Sequence, residues 1–181
     1  LVVPASTSNL GAGFDALGVA VGQQMEVIWT PSTRTRVRRT GDLAESNLPT
    51  GRDPILRGMK RAALVAGKAL PPGILEVSAD FQPGKGLGAS GAGMVAGLLL
   101  GNRLLGGGMK THALLKEAIA LEGHPENATA SLLGGAHWSI PLEEGGWKHL
   151  PIGLHRDLRF LLILPPYSLE TSRSRGALPA K

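Results

Sequence analysis

The sequence predicts an α+β sandwich, and three observations predict it. Strand-like and helix-like stretches interleave without the regular spacing of βαβ units, which argues against a doubly wound parallel sheet. Of 181 residues, 43% are apolar, enough to fill one domain, or one domain and the start of another. Glycine contributes 26 residues, roughly twice its usual share of about 7%, a sign of tight turns or of backbone lying close to a ligand.

The elements follow along the chain. Leu1 opens a stretch that reads as a strand, and Gln24 to Thr30 is a second. Thr35 to Thr40 is a third, with Arg34, Arg36 and Arg38 on one side, as on a solvated edge strand. Ile55 to Lys68 reads as a helix whose wet face carries Arg57, Lys60 and Arg61. Ile74 to Phe81 is a strand and Ala89 to Leu105 a helix, ended by the "GGGM" from Gly106. A helix from His112 to Glu122 has Thr111 as N-cap and an apolar stripe of Leu114, Leu115, Ala118 and Ile119. Ala136 to Leu142 and Arg159 to Leu164 complete the strands.

Composition narrows the function. With no cysteine, disulfides and thiolate metal sites are excluded and a reducing cytoplasm is expected. The longest apolar run, Met94 to Leu100, is far shorter than the roughly 20 residues of a membrane span. No charged leader precedes a cleavable apolar segment, so no membrane partner is expected. A net charge of +5 and a pI of about 10 suit a polyanionic partner, whether nucleic acid, nucleotide or phosphorylated metabolite. Aromatic residues are few at 4%, which disfavours base-stacking platforms.

The stretch "PGKGLGASGAG" from Pro83 lies after a predicted strand and before a predicted helix. Unpaired N–H groups and the positive end of the helix dipole meet there, a setting that suits a phosphate. Gly88→Val is therefore expected to fill the space of the phosphates, disabling nucleotide binding while leaving the fold. Three familiar motifs nearly match. Gly86, Gly88 and Gly91 spell the dinucleotide fingerprint, but no strand ending in an acidic residue follows about 20 positions on. Gly84 and Lys85 lead to Gly86 rather than to the serine or threonine of a P-loop. Gly88 and Ser90 begin a nucleophile elbow whose last glycine is Ala92.

Three separated stretches resemble the homoserine kinases, members of the superfamily that also phosphorylates galactose, mevalonate and phosphomevalonate. "VPASTSNLGAGFDALGVAV" is similar to that family's opening motif, "PGKGLGASGAG" to its P-x-x-x-G-L-G-S-S-A-A loop, and "EGHPENATASLLGG" to its E-G-H-P-D-N-x-x-x-x-L-L-G-G segment. The similarity runs from Val3 to about Pro179 and is loose between Thr30 and Pro72.

The resemblance implies a two-layer sandwich of ribosomal-protein-like type over residues 1–155, and the beginning of a ferredoxin-like second domain over 156–181. It implies transfer of the γ-phosphoryl group of ATP to the side-chain hydroxyl of L-homoserine, with Mg²⁺ as cofactor, in the cytoplasm; a homodimer is compatible with it. Pro83, Gly84, Lys85, Gly86, Leu87, Gly88, Ala89, Ser90, Gly91 and Ala92 would hold the nucleotide phosphates, and Asn47 would lie near the adenine. Asn9, Asp15, His124 and Asn127 would face the substrate, Asp15 taking its ammonium and Asn127 positioning its hydroxyl. Arg175 would take the carboxylate through its bidentate fork. Mg²⁺ asks for oxygen ligands, for which Glu122 with Ser90 is the first choice and Glu117 the alternative.

Departures from the family pattern are Ala89 for a serine, Gly91 for an alanine and Glu126 for an aspartate. The alternatives are another small-molecule kinase of the same superfamily, for a mevalonate- or shikimate-like substrate, and a basic RNA-binding module.

Overall fold

The computed structural model describes residues 1–164 apart from Asn9, Phe14, Glu45, Asn47 and Thr50. Alternation of burial decides the layout. In β4 (Gly73–Ala79) every second residue is buried, and Leu75 and Val77 enter the core while Ile74, Glu76 and Ser78 face away. The same period places Met25 and Val27 of β2 (Leu17–Pro31) inward and leaves Ile28 half exposed. Four helices cover the inward face: α1 (Pro54–Ala66), α2 (Ala89–Leu104), α3 (Thr111–Glu122) and α4 (Glu126–Leu133). This is the expected two-layer α+β sandwich.

The sheet runs β3 (Arg36–Gly41), β4, β2, β5 (Ala136–Pro141) and β6 (Trp147–Ile152), with β1 (Val2–Thr7) also paired to β2. β3 and β4 are parallel and are joined through α1, and every other pairing is antiparallel. β2 serves both halves: Met25 to Pro31 pair with β4, and Leu17 to Val19 pair with β5. The pairing with β1 shifts register between Pro4 and Ser6. β2 begins seven residues before the expected Gln24, because Gly18 and Gly22 weaken the strand signal of its first half.

α1 carries both of its stop signals. Asp53 caps its start, accepting from the N–H groups of Ile55 and Leu56, Pro54 takes the first turn, and Gly67 closes it in the left-handed region. α1 and α2 approach until their backbones nearly touch. A Cβ on Gly97 would overlap the Ile55 carbonyl, and one on Gly58 would overlap that of Met94. Part of the glycine excess therefore belongs to helix packing rather than to turns or a ligand.

The structure corrects several expectations. Arg57 and Arg61 do not share a wet face with exposed Lys60: Arg57 Nη2 donates to Leu121 O at 3.2 Å, and Arg61 pairs with Glu117 of α3. Thr111 is the first residue of α3, not its cap, since Lys110 holds the cap position without a side-chain bond. Residues 159–164 form no strand, although Leu162 packs on the core. α4 and β6 were not anticipated. α4 has only eight residues and β6 is mixed in polarity, so neither shows a clear period.

Candidate functional site

The loop from Pro83 turns into α2 through Gly88, whose φ of +61° lies in the left-handed region. No side chain caps this helix, so the N–H groups of its first turn are left to a ligand or to solvent. The loop is fastened to β1, where Ser6 N–H donates to Leu87 O at 3.2 Å. Gly88 also answers to a packing demand. A Cβ there would overlap Ser6 Oγ and stand 2.9 Å from Asn127 Oδ1. The expectation for Gly88→Val is thus corrected: the branched side chain would strike β1 and α4, and the fold would not be left intact.

The start of α4 meets the start of α2 over this point. Ser6, fully buried, donates through Oγ to Asn127 Oδ1 at 3.0 Å and receives Ser131 Oγ–H at 3.1 Å. Asn127 Nδ2 donates to Ser8 Oγ and to Glu126 Oε1, both at 3.3 Å. A Cβ on Gly91 would lie 3.1 Å from that of Asn127, so an alanine at this position would push the two helix starts apart by a few tenths of an ångström.

Acidic groups continue the array. Glu126 is 1% exposed; its Oε1 lies 2.7 Å from His124 Nδ1, and its Oε2 has no hydrogen-bond partner among the described residues. His124 Nε2 lies 3.6 Å from Glu122 Oε1, and Glu122 Oε2 accepts from Ser90 Oγ at 3.0 Å. Burial, foremost, pushes the Glu122 carboxyl above its ordinary pKa, and the charge of Glu126 adds to this against the opposing pull of His124, Ser90 and Arg57. Ser90, Glu122, His124, Glu126 and Asn127 thus form one run of contacts between the starts of α2 and α4.

Among the described residues no cluster of three or more His, Cys, Asp or Glu side chains could enclose a metal ion. Glu122 and Ser90 supply two oxygen donors, which suits Mg²⁺ because that ion commonly takes one or two protein ligands and completes its shell with phosphate and water. Glu117 is committed elsewhere, to Arg61.

A cavity of about 230 Å³ opens beside the loop, reaching Pro83, Ala89 and Ser90. Met25, Leu43, Leu48 and Val77 give it apolar walls, and Arg39 with Asp53 gives it a charged pair. Asp15 lies in the turn before β2 with a φ of +60°, an uncommon value for a residue with a Cβ. Asn9, Asn47 and Arg175 lie outside the described residues.

Ser6, Ser8, Arg39 and Asp53 were missed by sequence reasoning. The alternation in "RTRVRRT" does place Arg39 opposite Arg36 and Arg38, and that signal was available. Nothing in the linear pattern distinguished Ser6 from any other serine in a strand.

Residues 55–135 match the GHMP kinases N terminal domain. The chain is similar to the homoserine kinase of Leuconostoc mesenteroides, at 37% identity over 183 residues covering 100% of this chain and 60% of that protein. It is 34% identical over 179 residues to the homoserine kinase of Thermosynechococcus vestitus, covering 99% of this chain and 60% of that one. The crystal structure of a homoserine kinase from Cytophaga hutchinsonii matches the fold with a TM-score of 0.73 at 24% identity, covering 99% of this chain and 59% of that chain. The chain spans about 60% of the length of the curated relatives it matches.

Proposed function

We propose that this chain, whose residues 55–135 match the GHMP kinases N terminal domain, is the ATP- and L-homoserine-holding part of a homoserine kinase. The whole enzyme would transfer the γ-phosphoryl group of ATP to the side-chain hydroxyl of L-homoserine. The observation that carries this reading is the uncapped start of α2 behind its glycine loop, joined through Ser6 to Asn127. One end offers donors for phosphate, and the other offers an amide beside it for an acceptor alcohol.

In this reading the N–H groups of Ala89, Ser90 and Gly91 bind the phosphates, the rest of Pro83 to Ala92 shaping the loop around them. Glu122 and Ser90 would hold Mg²⁺, which when bound would supply neutralisation of phosphate charge. Asn127, its Oδ1 fixed by Ser6 and its Nδ2 aimed at Ser8 and Glu126, orients the hydroxyl rather than removing its proton. Phosphoryl transfer asks mainly for such positioning. His124 sits between Glu122 and Glu126 and borders the same place. Asp15 and Asn9 receive the ammonium side of homoserine, Arg175 its carboxylate, and Asn47 lies toward the adenine. In the same reading residues 156–181 are the beginning of a second, ferredoxin-like domain.

The family match and the relatives favour the kinase over the basic RNA-binding module that charge alone allowed. The test is an ADP-release assay of the enzyme containing this chain, run with a panel of alcohols. L-Homoserine should be phosphorylated and mevalonate, which has no ammonium, rejected. Asp15→Ala should relax that rejection, because a desolvated carboxylate left without its ammonium costs about 1–3 kcal/mol or more. Equal use of mevalonate by the unsubstituted enzyme would refute the substrate assignment.

A further inference from the structure

The cavity beside the phosphate loop contains a charged pair that packing alone does not require. Arg39 faces inward from β3, in register with Val77 of β4, while Arg36 and Arg38 face solvent. Its Nη2 donates to Asp53 Oδ2. Asp53 is 1% exposed, and its Oδ1 already accepts from Ile55 N–H at 2.9 Å and Leu56 N–H at 3.0 Å. The helix cap is therefore complete without the arginine. A long apolar side chain at position 39 would close this edge of the core and avoid desolvating a guanidinium, since buried ion pairs are commonly no better than well-packed hydrocarbon.

The geometry suggests what the guanidinium is for. Arg39 has five N–H donors in one plane, of which the contact with Asp53 uses one. Its side chain is 16% exposed and lines a cavity to which Met25, Leu43 and Val77 contribute hydrocarbon walls. A slot of this kind suits a flat ring that presents acceptor nitrogens to a planar cation. Pro83, Ala89 and Ser90 line the same cavity, so a ring held in it would border the glycine loop.

We propose that Arg39, held in place by Asp53, is a specificity-determining residue for the nucleotide, donating to a ring nitrogen of a purine base bound in this cavity. The proposal rests on the reading that ATP is the phosphoryl donor.

Titration calorimetry of the chain with Mg-ATP, Mg-CTP and inorganic tripolyphosphate tests it. The unsubstituted chain should bind ATP about tenfold or more tightly than either of the other two. Arg39→Met should weaken ATP about tenfold and leave tripolyphosphate unchanged, and Arg39→Lys, which keeps the charge without the fork, should not restore ATP. Since Arg39→Met alone leaves Asp53 buried without its cation, the double variant R39M/D53N, which keeps a cap acceptor and removes both charges, is measured beside it. ATP affinity retained in the double variant, or tripolyphosphate weakened as much as ATP, overturns the proposal. Equal binding of ATP and tripolyphosphate by the unsubstituted chain overturns this inference and leaves the kinase reading standing. No binding of any of the three overturns both.

Discussion

Gly88→Ala is the substitution whose cost the structure lets one work out. Two separate effects act at this position. The backbone sits at φ +61°, where an L-residue costs about 1–2 kcal/mol relative to glycine. The new Cβ also overlaps Ser6 Oγ and approaches Asn127 Oδ1 to 2.9 Å, so the buried Ser6–Asn127 hydrogen bond must lengthen or break, at about 1–3 kcal/mol. Together they amount to about 3 kcal/mol, or roughly 6–12 °C in melting temperature for a chain of this size. Gly107→Ala is the control, because Gly107 has a φ of +72° and open space where its Cβ would go. It should show the conformational cost alone, about 1–2 kcal/mol. Thermal melts of the three proteins, followed by circular dichroism, separate the two effects. If Gly88→Ala and Gly107→Ala melt together, the contact among the loop, β1 and α4 is not felt and the packing argument for Gly88 fails.

Glu122→Gln should abolish the dependence of ATP binding on Mg²⁺, so that titrations with and without chelator coincide; a persisting chelator effect would place the metal elsewhere. Because burial raises the Glu122 pKa, the fold favours its protonated form and loses stability as pH rises from the ordinary value of 4.5 through the raised one. Glu122→Gln should therefore melt higher than the unsubstituted chain at neutral pH, and the gap should close in acid. His149 behaves in the opposite sense: burial first, then the charges of His137 and His112, lower its pKa, so the fold favours the neutral ring and loses stability as pH falls below about 6.5. His149→Asn should flatten that decline in melts from pH 7.5 to 5, and an unchanged slope would assign it to other groups. Gly97→Ala should destabilise by about 1–3 kcal/mol, because its methyl overlaps the Ile55 carbonyl, and denaturant unfolding would register this as a lower midpoint.

The layers were legible in the sequence because β4 and α3 obey their periods closely: buried Leu75 and Val77 on one face, and Leu114, Leu115, Ala118 and Ile119 on one stripe. The place of the glycine loop between β4 and α2 was legible as well, since β4 announces itself by its period and α2 by its apolar run. What could not be seen was assembly across sequence distance. Ser6 and Asn127 lie 121 residues apart, and no local pattern in either stretch names the other as its partner. Arg57 and Arg61 looked like a solvated face because charge on a helix usually is one, and only the approach of α3, with Leu121 O and Glu117, turned them inward. Thr111 failed as a cap because propensity for the position competes with backbone geometry, and the chain at Lys110 is the part that is extended.

The glycines of α2 show how packing and chemistry are joined in this domain. Gly91, Gly93, Gly97 and Gly101 each weaken a helix by about 1 kcal/mol relative to alanine, which a solitary helix would not tolerate. Gly97 and Gly101 instead let α2 lie against Ile55 and Met59 of α1, while Gly91 lies against Asn127 of α4. Close packing on two sides thus fixes the axis of α2 and the direction in which its first N–H groups point. Asp53 enters the same arrangement from the other helix, since it caps α1 and holds Arg39 at the cavity wall. A substitution in the α1–α2 seam therefore acts on the glycine loop and the cavity beside it together. Loss of nucleotide affinity in a seam variant that still folds would be a displacement of donors, not the removal of one.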